Sequence, residues 1–189
     1  FLACGEWSAL LGQLRETGRP VQFRQGLDIR LITRQKSREL ASCRLDGDLL
    51  FAFDNIKDKE TVIEKMKIIN PIFQESKRIK FYVLTGFDAD GRYDWTFWKQ
   101  DILQAFERIR ILMGVRAYPH IMRYEKYQES PYRGMYVNLS RWCNQPQMYK
   151  QMSFREFCHL SKEGSACRTY LEEYERDFPE ISSYFDMKF

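Results

Sequence analysis

Several features that would mark particular classes of protein are missing from this sequence. No apolar run approaches the roughly 20 residues that a membrane-spanning helix needs, so no membrane association is expected. Neither sign of charge is in large excess, because 30 basic and 26 acidic residues are mixed along the chain and leave a net charge of +4. This balance makes no strong case for nucleic acid or an anionic membrane as a partner.

Cysteine pairs and a targeting segment are missing as well. No Cys-x-x-Cys occurs, and five cysteines are an odd number in a chain of 189 residues, which is too large to need disulfide staples. We therefore expect reduced thiols. The opening FLACGEWSALLGQL has neither the basic start nor the cleavage site of a signal peptide, which predicts a cytoplasmic protein. Because the first residue is phenylalanine, we also expect that an amino-terminal part is missing.

What is present is an alternation of strands and helices in a globular composition, 44% apolar and 30% charged. Predicted strands begin near residues 21, 49, 79 and 115, with apolar stripes of helical spacing between them. A spacing of roughly thirty residues is the length of a βα unit, whose strands are parallel. The pattern predicts an α/β fold over residues 1–124, followed by a mainly helical extension over residues 125–189.

Capping residues mark the expected helix starts. Thr33 and Asp58 precede the second and third helices, and Ser153 with Glu156 forms a capping box in the extension. Pro71 is expected to break or kink the third helix.

Polar residues collect where the predicted strands end, at positions 25–30, 54–55, 85–88 and 120–124. In parallel α/β sheets and barrels, ligands bind at the carboxyl ends of the strands. The alternative for any single cluster is that its residues are helix caps and turn formers, since Asp, Asn and Thr often begin helices. Four clusters at the same edge favour a ligand site.

Five segments in this order resemble the later strands of radical S-adenosylmethionine enzymes: FLAC, QGLDIRLIT, FAFDNIKDKETV, FYVLTGFD and PHIMRY. The resemblance covers residues 1–124, and RWCNQPQMYKQMSFREFC is similar to the tail of a bacterial or phage branch of the family. It implies the later strands of a partial (βα)6 barrel that holds a [4Fe–4S] cluster and S-adenosylmethionine. The extension from Glu125 onward would then be a substrate cap.

The defining Cys-x3-Cys-x2-Cys motif of that family is absent from this chain. The resemblance therefore implies the carboxy-terminal part of an enzyme whose cluster ligands lie upstream. Such an enzyme takes an electron from an external reductant and forms a 5′-deoxyadenosyl radical, which abstracts hydrogen from a substrate that the sequence does not identify. The alternative is a non-enzymatic α/β module that has lost the cluster and acts by binding a partner.

The end of the first predicted strand and that of the second supply the first group of expected ligand contacts. Arg30 can offer a cationic fork to the carboxylate of S-adenosylmethionine, and Gln25 and Asp28 can receive amine or ribose protons. Asp54 and Asn55 match the position from which the family presents groups to the amine and ribose.

The two later strands supply the second group. Thr85 and Gly86 belong to a motif similar to the family's fifth-strand glycine motif, in which Gly86 would let the backbone approach the adenine. His120 and Met122 would line the adenine side. Because Gln25 differs in strand parity from Asp28 and Arg30, a bulge or strand end at position 26 is needed to bring all three to one pocket.

Two further hypotheses concern possible binding sites in the extension. A zinc ion or auxiliary cluster on its cysteines and His159 is disfavoured, because their spacings fit no compact knuckle. The aromatic and basic residues between Tyr118 and Tyr149 are typical either of a cap's own core or of a surface that stacks single-stranded nucleic acid. If the chain is truncated at the strand beginning near residue 21, its open sheet edge predicts aggregation or dimerisation.

Overall fold

The computed structural model describes residues 1–73 and 78–189 and has an α/β fold with a three-stranded parallel sheet. The strands are β1 (Leu49–Ala52), β2 (Ile79–Thr85) and β3 (Tyr118–Arg123), in the order β1-β2-β3. The predicted α/β class and parallel sheet are confirmed. The described α-helices are α1 (Trp7–Glu16), α2 (Arg34–Ala41), α3 (Lys59–Phe73), α4 (Trp95–Gly114), α5 (Arg133–Cys143), α6 (Pro146–Gln151), α7 (Phe154–His159), α8 (Ala166–Asp177) and α9 (Ser182–Phe185).

The chain divides into two compact units, Phe1–Tyr82 and Val83–Phe189. The division falls within β2, whose residues 79–82 pair in parallel register with β1. The sequence-based boundary near residue 124 lies inside the second unit. None of the described helices combines the length and apolarity needed to cross a membrane.

In the amino-terminal unit, α2 packs against both α1 and α3. In α3 the residues at helical spacing, Val62, Met66 and Ile69, have no exposed surface, as predicted. The Thr33 hydroxyl caps α2 by accepting the backbone N–H of Lys36 at 3.2 Å. Of the break or kink expected at Pro71, the break is wrong, because α3 continues through this residue to Phe73.

The predicted strand at 21–33 is also wrong. Within the described part of the chain, these residues make two isolated parallel bridges, Val21 to Leu45 and Leu27 to Phe51. The chain turns at Gly26, which has a φ of +78°, and then enters a 3₁₀ turn at Ile29–Leu31. Alternating apolar residues were mistaken for a continuous strand, although a turn and a 3₁₀ segment bury Leu27 and Ile29.

The carboxy-terminal unit is built around an aromatic core. Trp142, Tyr149 and Phe154 are fully buried, and the centroid of the Trp142 ring lies 5.3 Å from that of Tyr149 and 5.5 Å from that of Phe154. The predicted capping box is confirmed, since Ser153 and Glu156 each accept a backbone N–H from the other's residue.

An asparagine side chain covers part of β3. The Oδ1 of Asn144 accepts the N–H of Ile121 at 2.7 Å, and its Nδ2 donates to the carbonyl of Ile121 at 3.1 Å. The carboxamide thus makes the two hydrogen bonds that a neighbouring strand would make at this residue. This pairing protects that part of the strand from adding another chain.

Candidate functional site

A cavity of about 340 Å³ opens in the amino-terminal unit where β1 ends. Five of the predicted ligand residues line it: Gln25, Asp28, Arg30, Asp54 and Asn55. They come from two segments that are separated by more than twenty residues in the sequence. The remaining lining residues are Gly26, Leu27, Ile29, Ala52 and Asp58. The volume is at the lower end of the range of small-molecule sites, about 300–1,000 Å³.

Gly26 brings the first segment against β1. The N–H of Leu27 donates to the carbonyl of Leu50 at 2.7 Å, which fixes this segment beside the strand. A Cβ built on Gly26 would lie 3.6 Å from backbone atoms of Leu50 and Phe51, and the φ of +78° favours glycine by itself. The chain turns at this position, where the expected pocket required a bulge or strand end, and Gln25 and Asp28 line the same cavity.

Asp28 and Arg30 bind each other at the cavity wall. The Arg30 Nε donates to Asp28 Oδ1 at 2.9 Å and its Nη2 donates to Oδ2 at 2.8 Å. Asp28 also accepts the backbone N–H of Arg30 at 3.0 Å and so begins the 3₁₀ turn. The hydrogen bonds from Arg30 hold the pKa of Asp28 below its ordinary value. The Asp28 carboxylate and the Arg30 guanidinium therefore lie together at this 3₁₀ turn as a hydrogen-bonded ion pair.

The second segment follows β1 directly. Phe53 is buried, whereas Asp54 and Asn55 are exposed at the cavity. Asn55 Oδ1 accepts the N–H of Lys57 at 3.0 Å and begins the 3₁₀ turn Ile56–Asp58, and its Nδ2 is a hydrogen-bond donor. Asp58 belongs to this turn and lines the cavity, a role that the sequence analysis missed because it assigned the residue to a helix cap.

Acidic residues dominate the electrostatics of this cavity. Three carboxylates, on Asp28, Asp54 and Asp58, face one guanidinium, that of Arg30. Three carboxylates and one guanidinium give the lining residues a net negative formal charge at neutral pH. Such a site favours a ligand with positive charge and disfavours a polyphosphate.

The other predicted residues belong to the carboxy-terminal unit. Thr85 is fully buried, and its hydroxyl donates to the carbonyl of Met122 at 3.2 Å. The Met122 side chain is 46% exposed, and His120 is half-buried. Thr85 therefore ties β2 to β3, and its hydroxyl is already committed to that bond.

Gly86 is explained by packing against the following segment. A Cβ on this residue, whose φ is +74°, would lie 3.0 Å from the Tyr127 Cβ and 3.4 Å from the Tyr124 carbonyl oxygen. Its N–H donates to Asp101 Oδ2 at 2.7 Å. Burial raises the pKa of Asp101, although this N–H and the nearby Arg108 guanidinium favour the charged form.

The cysteines do not fit an iron–sulfur cluster. Cys4 is exposed, whereas Cys43, Cys143 and Cys158 are buried, and burial raises the pKa of all three buried thiols. A raised pKa disfavours the thiolate that ligates iron. Within residues 1–73 and 78–189, no three side chains of histidine, cysteine, aspartate or glutamate converge as metal ligands.

Comparison with other proteins adds no identification to this geometry. Comparison of the chain with models of protein families, with curated proteins and with solved structures found no match.

Proposed function

We propose that this chain is the carboxy-terminal part of a radical S-adenosylmethionine enzyme and that the cavity at the end of β1 contacts S-adenosylmethionine. The observation that carries the proposal is the convergence of Gln25, Asp28, Arg30, Asp54 and Asn55 on one cavity. The sequence analysis predicted these residues as ligand contacts from two separate segments that resemble the family. The protein's sheet would then be the later part of a partial (βα)6 barrel.

The charge of the cavity supports this ligand. S-adenosylmethionine carries a sulfonium, an ammonium and one carboxylate, so its net charge at neutral pH is positive. Asp54 and Asp58 offer oxygen acceptors to the ammonium and ribose hydroxyls, and their negative charge favours the sulfonium. Asn55 Nδ2 can donate to a ribose oxygen.

The sequence analysis expected the whole Arg30 guanidinium to be available to the ligand carboxylate, and the structure shows that it is partly engaged. Its Nε and Nη2 are engaged with Asp28, so only its remaining N–H groups, those of Nη1 above all, can reach the ligand carboxylate. Asp28 then acts as a positioning residue that orients the guanidinium. Its removal should weaken binding even though it carries the same charge sign as the ligand's carboxylate.

The complete enzyme requires cluster ligands from outside this chain, an external one-electron reductant and a substrate that remains to be identified. Sequencing the reading frame upstream of Phe1 tests this part of the proposal. A Cys-x3-Cys-x2-Cys motif in frame, roughly two βα units before Phe1, would support the enzyme. A nearby start codon without that motif would favour the alternative, a non-enzymatic binding module.

Calorimetry on the chain itself tests the cavity. We expect S-adenosylmethionine to bind more tightly than S-adenosylhomocysteine, which lacks the sulfonium charge. A unit charge 4 Å from a carboxylate in water is worth about 1 kcal/mol, or about fivefold in affinity. Asp54→Asn should lower the affinity for S-adenosylmethionine and reduce its advantage over the neutral analogue.

Asp46→Asn is the matched control, because Asp46 is an exposed aspartate that precedes β1, whereas Asp54 follows it. Equal effects of the two substitutions would contradict the assignment of the cavity. So would equal binding of the two ligands, or no binding of either.

A further inference from the structure

A second cavity, of about 720 Å³, lies within the carboxy-terminal unit. It is lined by residues of α5, of α8 and of the 3₁₀ segment Glu125–Glu129. On α5 its lining includes Arg133, Val137 and Arg141, which are four residues apart and so share one face of the helix. The cavity is independent of the site proposed above, since it belongs to the other unit.

Positive charge without a counterion distinguishes this cavity. Arg133 and Arg141 are exposed, no acidic side chain is among the lining residues, and neither arginine forms an ion pair within the described part of the chain. Guanidinium groups bind phosphate oxygens with paired, charge-assisted hydrogen bonds. Eight residues of helix span about 12 Å, a distance that two long arginine side chains can close on a diphosphate.

Aromatic and amide groups complete the lining. Tyr127 and Tyr170 contribute rings. Tyr170 packs directly on Gly134, since a Cβ on that glycine would lie only 2.0 Å from the Tyr170 Cδ2. Aromatic rings of this kind stack on nucleobases.

Asn138 is a buried polar group in the same cavity, with 4% of its surface exposed. Its Nδ2 donates to the carbonyl of Cys167 at 3.3 Å, which fixes the orientation of the carboxamide. Its Oδ1 receives no hydrogen bond within the described residues. An oxygen held in this way can accept a hydrogen bond from the amino group of a base.

We infer that this cavity binds a nucleoside phosphate, with its phosphates at Arg133 and Arg141 and its base against the tyrosine rings and Asn138. A free nucleotide is favoured over a nucleic acid strand. Residues 83–189 contain fifteen basic and fifteen acidic side chains, so the unit has no net positive charge with which to track a long phosphate backbone. Single-stranded nucleic acid, which the sequence analysis considered as a ligand, therefore fits this cavity less well than a free nucleotide.

Isothermal titration calorimetry of the full chain with ADP tests the inference. We expect ADP to bind, and pyrophosphate and adenosine each to bind more weakly, because each supplies only one half of the contacts. Arg133→Ala should weaken ADP binding about tenfold, which corresponds to the loss of one hydrogen-bonded charged group. The substitution is compatible with folding, because the side chain is exposed and makes no ion pair within the described residues.

Two control variants separate this site from general effects of charge and from the first cavity. Arg110→Ala removes an exposed arginine of α4 that lies over the Tyr184 ring, outside the cavity. Asp54→Asn alters only the amino-terminal site. Both should leave the ADP affinity within twofold, even if Asp54→Asn abolishes binding of S-adenosylmethionine.

Four outcomes would overturn the inference. They are the absence of ADP binding, an equal loss of affinity in Arg133→Ala and Arg110→Ala, pyrophosphate binding as tight as that of ADP, and tighter binding of a ten-nucleotide single strand than of ADP. The last result would assign the surface to nucleic acid.

Discussion

Replacing Gly134 by alanine tests the packing of α5 against α8. The new Cβ would lie 2.0 Å, 2.3 Å and 2.5 Å from three ring carbons of Tyr170, so the ring must move. Overpacking of this kind costs about 1–3 kcal/mol, whereas alanine in a helix gains about 1 kcal/mol over glycine. We expect a net loss of about 1 kcal/mol in the free energy of unfolding, with an upper limit near 2 kcal/mol.

The assay is urea denaturation followed by tryptophan fluorescence. Trp95, Trp98 and Trp142, three of the four tryptophans, report on the carboxy-terminal unit. Gly114→Ala is the matched control, because a Cβ on this last residue of α4 would meet no atom within 4 Å. It should be neutral or stabilising by up to about 1 kcal/mol.

A double-mutant cycle completes the test. In a Tyr170→Ala background the clash is gone, so Gly134→Ala should stabilise, and the two substitutions should be coupled by about 1–3 kcal/mol. The packing argument would be refuted if Gly134→Ala stabilised the wild-type protein as Gly114→Ala does, or if its effect were the same with and without the tyrosine ring.

Three further predictions concern ionisable groups. Arg155 donates to both carboxylate oxygens of Glu175 at 2.8 Å and 2.6 Å and lowers the pKa of Glu175. Glu175→Gln should therefore lower the free energy of unfolding by about 1 kcal/mol at pH 7. The urea midpoints of wild type and variant should converge as the pH falls below the ordinary glutamate pKa. Because burial raises the pKa of Asp101, this residue makes the folded state less stable as the pH rises above the ordinary value of 3.8. Asp101→Asn can still accept the Gly86 N–H and should lack that decline; a decline of the same size in the variant would contradict the assignment. Iodoacetamide with mass spectrometry should label the exposed Cys4 first, and equal labelling of the buried cysteines would contradict their burial. The slow group comprises Cys43, Cys143 and Cys158.

Local patterns predicted much of the secondary structure. The cap at Thr33, the capping box at Ser153 and the end of α4 at Gly114 were read correctly, because each depends on residues only a few positions apart. Strand spacing also predicted the parallel pairing of β1 and β2.

The secondary-structure predictions were wrong where a local sequence pattern was compatible with two structures. The alternating residues at 21–33 suit a strand, yet the positive φ of Gly26 and the cap made by Asp28 produce a turn and a 3₁₀ segment. Likewise, Pro71 is accommodated within α3, although proline usually ends a helix.

The sequence by itself determined the α/β class, the positions of most helices and the collection of polar residues after β1. Only the tertiary structure decided that Asp28 neutralises Arg30, that Gly86 makes room for Tyr127 and that two arginines of α5 line one cavity. The physical reason is the range of the interactions. Caps and periodicity act between neighbours in the chain, whereas charge pairing and cavities depend on which distant side chains packing brings together.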